Sequence, residues 1–116
     1  MKIHFIHALP NSFLPTTGNR LYVVGISESD VKNVLQQKKE IVSHIRYEDF
    51  CSDLSHLLGE EIPVSGDNCP SPMGSSDMFI LASRSPGSTE VSFYHLYDGS
   101  KERADYDWRY SMTEFA

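Results

Sequence analysis

Several things are missing from this sequence, and each omission closes off a class of protein. No apolar run approaches the roughly 18 residues that a membrane span needs. The opening KIHFIHAL has no charged leader ahead of a long apolar block. It therefore does not read as a signal peptide, and the expectation is a protein that works in the cytoplasm, where it is made. Basic side chains are scarce: 10 Lys and Arg stand against 16 Asp and Glu, a formal charge of −6. Coating DNA or RNA in bulk needs a basic footprint instead. The two cysteines, Cys51 and Cys69, suit neither a disulfide framework nor a metal spacing. There is no P-loop, dinucleotide fingerprint or G-x-S-x-G elbow, and no repeat or low-complexity segment.

What is present is 116 residues, 40% hydrophobic and 22% charged, enough for one core and not for two. Residues 2–9 read as a first strand, with Ile6 indicating that both faces are covered. RLYVVG, residues 20–25, is rich in the residues strands favour. Ser27 then caps a helix in a capping box with Asp30, and Ile26 and Val31 are placed as its hydrophobic staple. Val31, Val34 and Leu35 form the apolar stripe, and QQKKE ends the helix on a solvated face.

IVSHIRYEDFCSDLSHLLGEEIPV, residues 41–64, gives a short strand, a polar turn, a second helix and a glycine stop. Phe50, Leu54, Leu57 and Leu58 keep helical spacing from about Tyr47 onward, and Gly59 is a natural left-handed terminator. Residues 65–77 hold two prolines and two glycines, a long connection of the kind that serves as a lid or is a family-specific insertion. MFILA, residues 78–82, suits a central strand covered on both sides, and residues 91–97 alternate as a last strand. Cys51 falls among apolar helix positions and reads as a buried small hydrophobe; Cys69 in its loop reads as exposed.

The fold class is thus α+β (mixed α/β): a four- to five-stranded mixed sheet with two main helices on one face. An apolar opposite face would need a partner, which makes a homodimer the expected state. Residues 1–97 form the single domain, and residues 98–116 form an acidic and aromatic tail.

The chemistry concentrates at the second helix start. Ser43, His44, Arg46 and Tyr47 lie where free backbone N–H groups and the helix dipole favour an anion such as phosphate. Glu48 and Asp49 compensate the same dipole and so compete with an anion. Arg84, at the end of the central strand, stands where strand ends commonly carry ligand contacts. His4 and His7 alternate to opposite faces of a strand and cannot share a metal directly. The other histidines have no companion at metal-ligand spacing, so no metal and no cofactor are expected.

Four segments together resemble a small viral and mobile-element family that includes type III anti-CRISPR ring nucleases. They are FIHALPNSFLP, GNRLYVVGISESDVKNVL, IVSHIRYEDFCSDLSHLLGEEIPV and MFILASRSPG, within residues 1 to about 97. The resemblance implies a homodimer that binds cyclic oligoadenylate across its two-fold axis, where the ligand's own 2′-OH attacks the adjacent phosphate without a metal. In that family a histidine at the second helix start protonates the leaving oxygen; by position it falls on Tyr47. The family's first-loop Asn falls on His7 and its Ser on Pro10, with Asn11 and Ser12 one small shift away. Ser43 and Ile45 keep the family's Ser and Ile, Arg46 replaces a Gly, and Arg84 keeps the strand-end arginine. The Asn-Arg that follows the family's Val-Pro is replaced by Ser65-Gly66.

Tyrosine changes the chemistry. Its reference pKa is about 10 against about 6.5 for histidine, so as a general acid it works poorly near neutrality. His44 or His7 is the substitute acid, whichever the fold brings within reach. Three readings follow, in order. The first is a binder, or slow nuclease, of a cyclic oligonucleotide that signals antiviral defence. The second is a non-enzymatic inhibitor that grips a defence protein through the acidic surface and aromatic tail. The third is a different phosphodiesterase with His7 and His44 as an acid–base pair.

Overall fold

The computed structural model describes residues 1–13, 20–37 and 40–99. Five strands form one mixed sheet: β1 (Lys2–Ile6), β2 (Leu21–Ile26), β3 (Glu40–Ser43), β4 (Met78–Arg84) and β5 (Val91–Asp98). Their order across the sheet is β2-β5-β4-β1-β3. β1 runs parallel to both β3 and β4, in register Phe5↔Ser43 and Phe5↔Ile80. β5 is antiparallel to β4 and β2. The apolar MFILA stretch is central, as its unbroken hydrophobicity predicts.

Two helices, α1 (Glu28–Leu35) and α2 (Glu48–Leu58), cover one face. The expected capping box is present in full: Ser27 Oγ accepts from the Asp30 N–H at 3.0 Å, and Asp30 Oδ2 accepts from the Ser27 N–H at 3.0 Å. Helix α2 begins one residue later than its spacing suggests, with Tyr47 as N-cap, and ends on Gly59 at φ +72°, where only glycine is unstrained. Phe50, Cys51, Leu54 and Leu58 pack with Val31, Val34 and Leu35 over Ile3, Phe5, Ile80 and Phe93. Each large apolar side chain fully buried there contributes about 1.5–3 kcal/mol. Cys51 is buried as expected.

Part of the reverse face is covered by the chain itself, while Val23 on β2 stays exposed there. Ile6, Phe13, Phe79 and Leu96 form a second, smaller cluster, with Leu21, Leu81 and Cys69 against it. Phe13 comes from a single 3-10 turn, Asn11–Phe13, and meets Phe79 edge to face. Cys69 belongs to the long connection before β4. The composition of that connection predicts an exposed thiol, but its packing makes Cys69 half-buried and pushes the thiol up to about 12. Ile62 to Val64, which read from the sequence as a short extended piece, form no strand, and Ile62 sits in the core. β5 continues through buried Asp98, whose carboxylate accepts from the Gly74 N–H at 2.9 Å. Residues 100–116, most of the aromatic tail, lie outside the described residues. Among the described residues no helix is long and apolar enough to cross a membrane.

Candidate functional site

The parallel strands β1, β3 and β4 end at the same edge of the sheet. After β1 the chain turns onto the reverse face through Asn11–Phe13; after β3 it turns onto the helix face through α2. Neighbouring strands whose continuations leave to opposite faces open a crevice between them, the usual ligand position in such sheets. A groove of about 730 Å³ occupies it. His7 and Pro10 come from the segment after β1, Ser12 from the 3-10 turn, His44, Arg46 and Tyr47 from the segment after β3, and Asp67, Asn68 and Cys69 from the long connection. A second pocket of about 310 Å³ lies beyond, lined by Asp49, Phe50, Ser83 and Arg84. His7 and Tyr47 line both, their rings edge to face at 5.0 Å, and form the partition.

Tyr47 is 63% exposed, and its side chain makes no cap bond to the helix it precedes. The His7 ring is half-buried, yet its Nδ1 is buried and has no hydrogen-bond partner among the described residues. Burial, reinforced by the positive charge of Arg46, holds His7 below its ordinary value of 6.5, so the ring is neutral near pH 7. Arg46 donates to the Gly66 carbonyl and to Asn68 Oδ1 only at 3.4 and 3.5 Å, which leaves most of its guanidinium for a ligand. Arg84 is more committed. It pairs with Asp53 and stands over the Phe50 ring, 5.0 Å from the centroid.

Other residues singled out from the sequence are turned away from the groove or are held fast within it. Ile45 is fully buried in the helix-side core. Ser43 is buried, and its hydroxyl accepts from the Ile45 N–H at 3.2 Å. Asn11 is exposed on the 3-10 turn, while its neighbour Ser12 lines the groove. His44 lines it too, but its ring is buried and doubly held: Nδ1 is 3.1 Å from the Asp67 carbonyl and Nε2 is 2.8 Å from His4 Nδ1. Burial lowers His44 from its ordinary value despite the Asp67 carbonyl pulling the other way.

His4 completes a chain that local spacing does not reveal. Its Nε2 lies 2.9 Å from Asp77 Oδ2, and its ring stacks on Phe79. β1 ends at Ile6, short of the strand expected over residues 2–9, so His7 lies beyond the strand and not on its opposite face; what brings a second imidazole to His4 is the neighbouring strand. Burial pushes the Asp77 carboxyl up, but bonds from His4 and the Lys2 N–H outweigh it and hold the group below its ordinary value. Cys69 joins the same cluster: its Sγ and one nitrogen each from His4 and His44 lie within 4.8 Å of one another.

These features define a class: an α+β domain with a mixed five-stranded sheet, two helices on one face and a polar groove at the ends of its parallel strands. Among solved structures the chain is similar to B116 of Sulfolobus turreted icosahedral virus, with a TM-score of 0.59 over 84% of this chain and 99% of that one. Identity is 13%, so the likeness is one of fold: this is a viral B116-like architecture. No family model matches the chain, and no curated protein matches it.

Proposed function

We propose that the protein binds a cyclic oligoadenylate-type second messenger in the groove, as a homodimer, and so counters a nucleotide-signalled antiviral defence such as type III CRISPR. The observation that carries this reading is the meeting of His7, Arg46 and Tyr47 at one strand edge. There an unpartnered buried nitrogen, a loosely held guanidinium and an uncapped helix start all address the same space. A phosphodiester matches that set: guanidinium and backbone N–H groups donate to its oxygens, and an aromatic ring takes a base face.

Retention dominates over cleavage. Breaking the ligand requires the 2′-OH to lose its proton as it attacks phosphorus, while the departing 5′-oxygen gains one. Neutral His7 is suited to accept the first proton. The residue that the resemblance places to supply the second is Tyr47, where a histidine would be the better-matched general acid. The test is incubation with cyclic tetra- and hexa-adenylate followed by chromatography. Co-elution of intact ligand, reduced in His7→Ala and Arg46→Ala, is the expected result; neither retention nor turnover of any cyclic oligonucleotide would overturn the proposal.

A further inference from the structure

We propose that His4, His44 and Cys69 form a binding site for one borderline-soft transition-metal ion of the zinc class, independent of the phosphate-binding reading. Asp77 and the Asp67 carbonyl orient the two imidazoles, and the fourth coordination position opens toward the groove.

The partners of the two rings determine which nitrogens carry hydrogen. A carbonyl only accepts, so His44 Nδ1, 3.1 Å from the Asp67 oxygen, holds a proton. An ionised carboxylate only accepts as well, so His4 Nε2, 2.9 Å from Asp77, holds another. The remaining nitrogens, His4 Nδ1 and His44 Nε2, then face each other at 2.8 Å with a lone pair each. Two buried lone pairs at that distance repel unless a cation lies between them. One added proton satisfies the pair; so does a metal ion.

Three further features favour the metal. An imidazole ligand typically gives its other N–H to a carboxylate or a backbone carbonyl, and His4 and His44 show one of each. A third donor, the Cys69 sulfur, stands within 4.8 Å of both nitrogens, and two imidazoles with one thiolate suit zinc-class ions. Charge also favours it: when a divalent ion enters, the thiol proton leaves, and the one net positive charge gained is met through His4 by the Asp77 carboxylate. At Zn–N distances of about 2.0–2.1 Å, tetrahedral ligands place two nitrogens about 3.3 Å apart. The rings must therefore separate by roughly half an ångström, and the Cys69 side chain must swing inward. His44 and Cys69 also line the groove, which leaves the fourth position to water or to a ligand oxygen.

Cobalt(II) titrated into the chelator-treated full chain tests the site. Expected are one equivalent bound, the visible bands of a tetrahedral ion and a near-ultraviolet thiolate-to-cobalt band. Cys69→Ser removes that band, and Asp77→Asn weakens affinity by about 10–100-fold with the band retained. Arg46→Ala leaves metal binding unchanged, which separates this site from the phosphate-binding reading. In the unsubstituted chain, zinc slows alkylation of Cys69 as read by peptide mass, so the test does not depend on a variant folding. No cobalt uptake, a thiolate band that survives in Cys69→Ser, or alkylation indifferent to zinc would each overturn the proposal.

Discussion

The two helices of this domain begin in opposite ways. At α1, Ser27 and Asp30 satisfy each other's backbone N–H groups, and the first turn is closed by its own side chains. At α2 the N-cap is Tyr47, whose side chain makes no such bond and points into solvent beside Arg46 and His7. A cap of the α1 kind is worth about 1 kcal/mol. The chain takes that stabilisation at α1 and forgoes it at the groove, where exposed donors are left to serve the anion of the proposed function. Stability and the proposed binding are thus divided between two helix starts in one sequence.

The sharpest way to break this contrast is to restore an effective acid at the open start. Tyr47→His should raise the single-turnover rate of cyclic oligoadenylate cleavage by about 10²–10⁴-fold. An unchanged rate would mean that position 47 does not reach the leaving oxygen. Next in size, Arg46→Ala removes a charge-assisted contact worth about 1.5–3 kcal/mol. Retention of the same ligand, measured by calorimetry, should weaken roughly 10- to 100-fold while thermal stability holds.

A third comparison sets the two starts against each other. Ser27→Ala should cost about 0.5–2 kcal/mol in denaturant unfolding and leave ligand affinity alone. Tyr47→Ser should do the reverse, gaining a few tenths to about 1 kcal/mol and losing affinity. The smallest effect concerns His7. Its folded value lies below 6.5, so its contribution to stability is complete above that pH. The contribution is lost as pH falls from 6.5 through the folded value, because the unfolded chain binds the proton more readily. His7→Gln should flatten that part of a stability-against-pH curve, and an unaltered curve would show that the ring is not held neutral.

Local patterns revealed what local physics determines. The capping box of α1, the Gly59 stop of α2 and the central position of MFILA are all written within a few residues of one another. The helix start with Arg46 and Tyr47 was legible for the same reason; the end of β1 was not, since alternation alone carries that strand on to Leu9 and places His7 inside it. The His4–His44 contact was not, since its partners lie 40 residues apart and meet only because β1 is placed beside β3. Asp77 is 73 residues from His4. Nothing in the composition of residues 65–77 distinguishes a loop that hangs free from one that lays Cys69 against the reverse face. Ser43 and Ile45 show the converse error of position: the strand-to-helix turn buries both, although each occupies a motif position.

The placement of β1 between β3 and β4 also governs how the chain can be made. β1 leaves the ribosome before the other strands of the sheet, yet one flank pairs with residues some 75 positions later. Until that segment has been synthesised, β1 is an apolar ribbon with an open side. Contacts so distant in sequence are slow to form and leave strand edges prone to association with other chains. Nascent copies should therefore depend on chaperones until translation has passed β4.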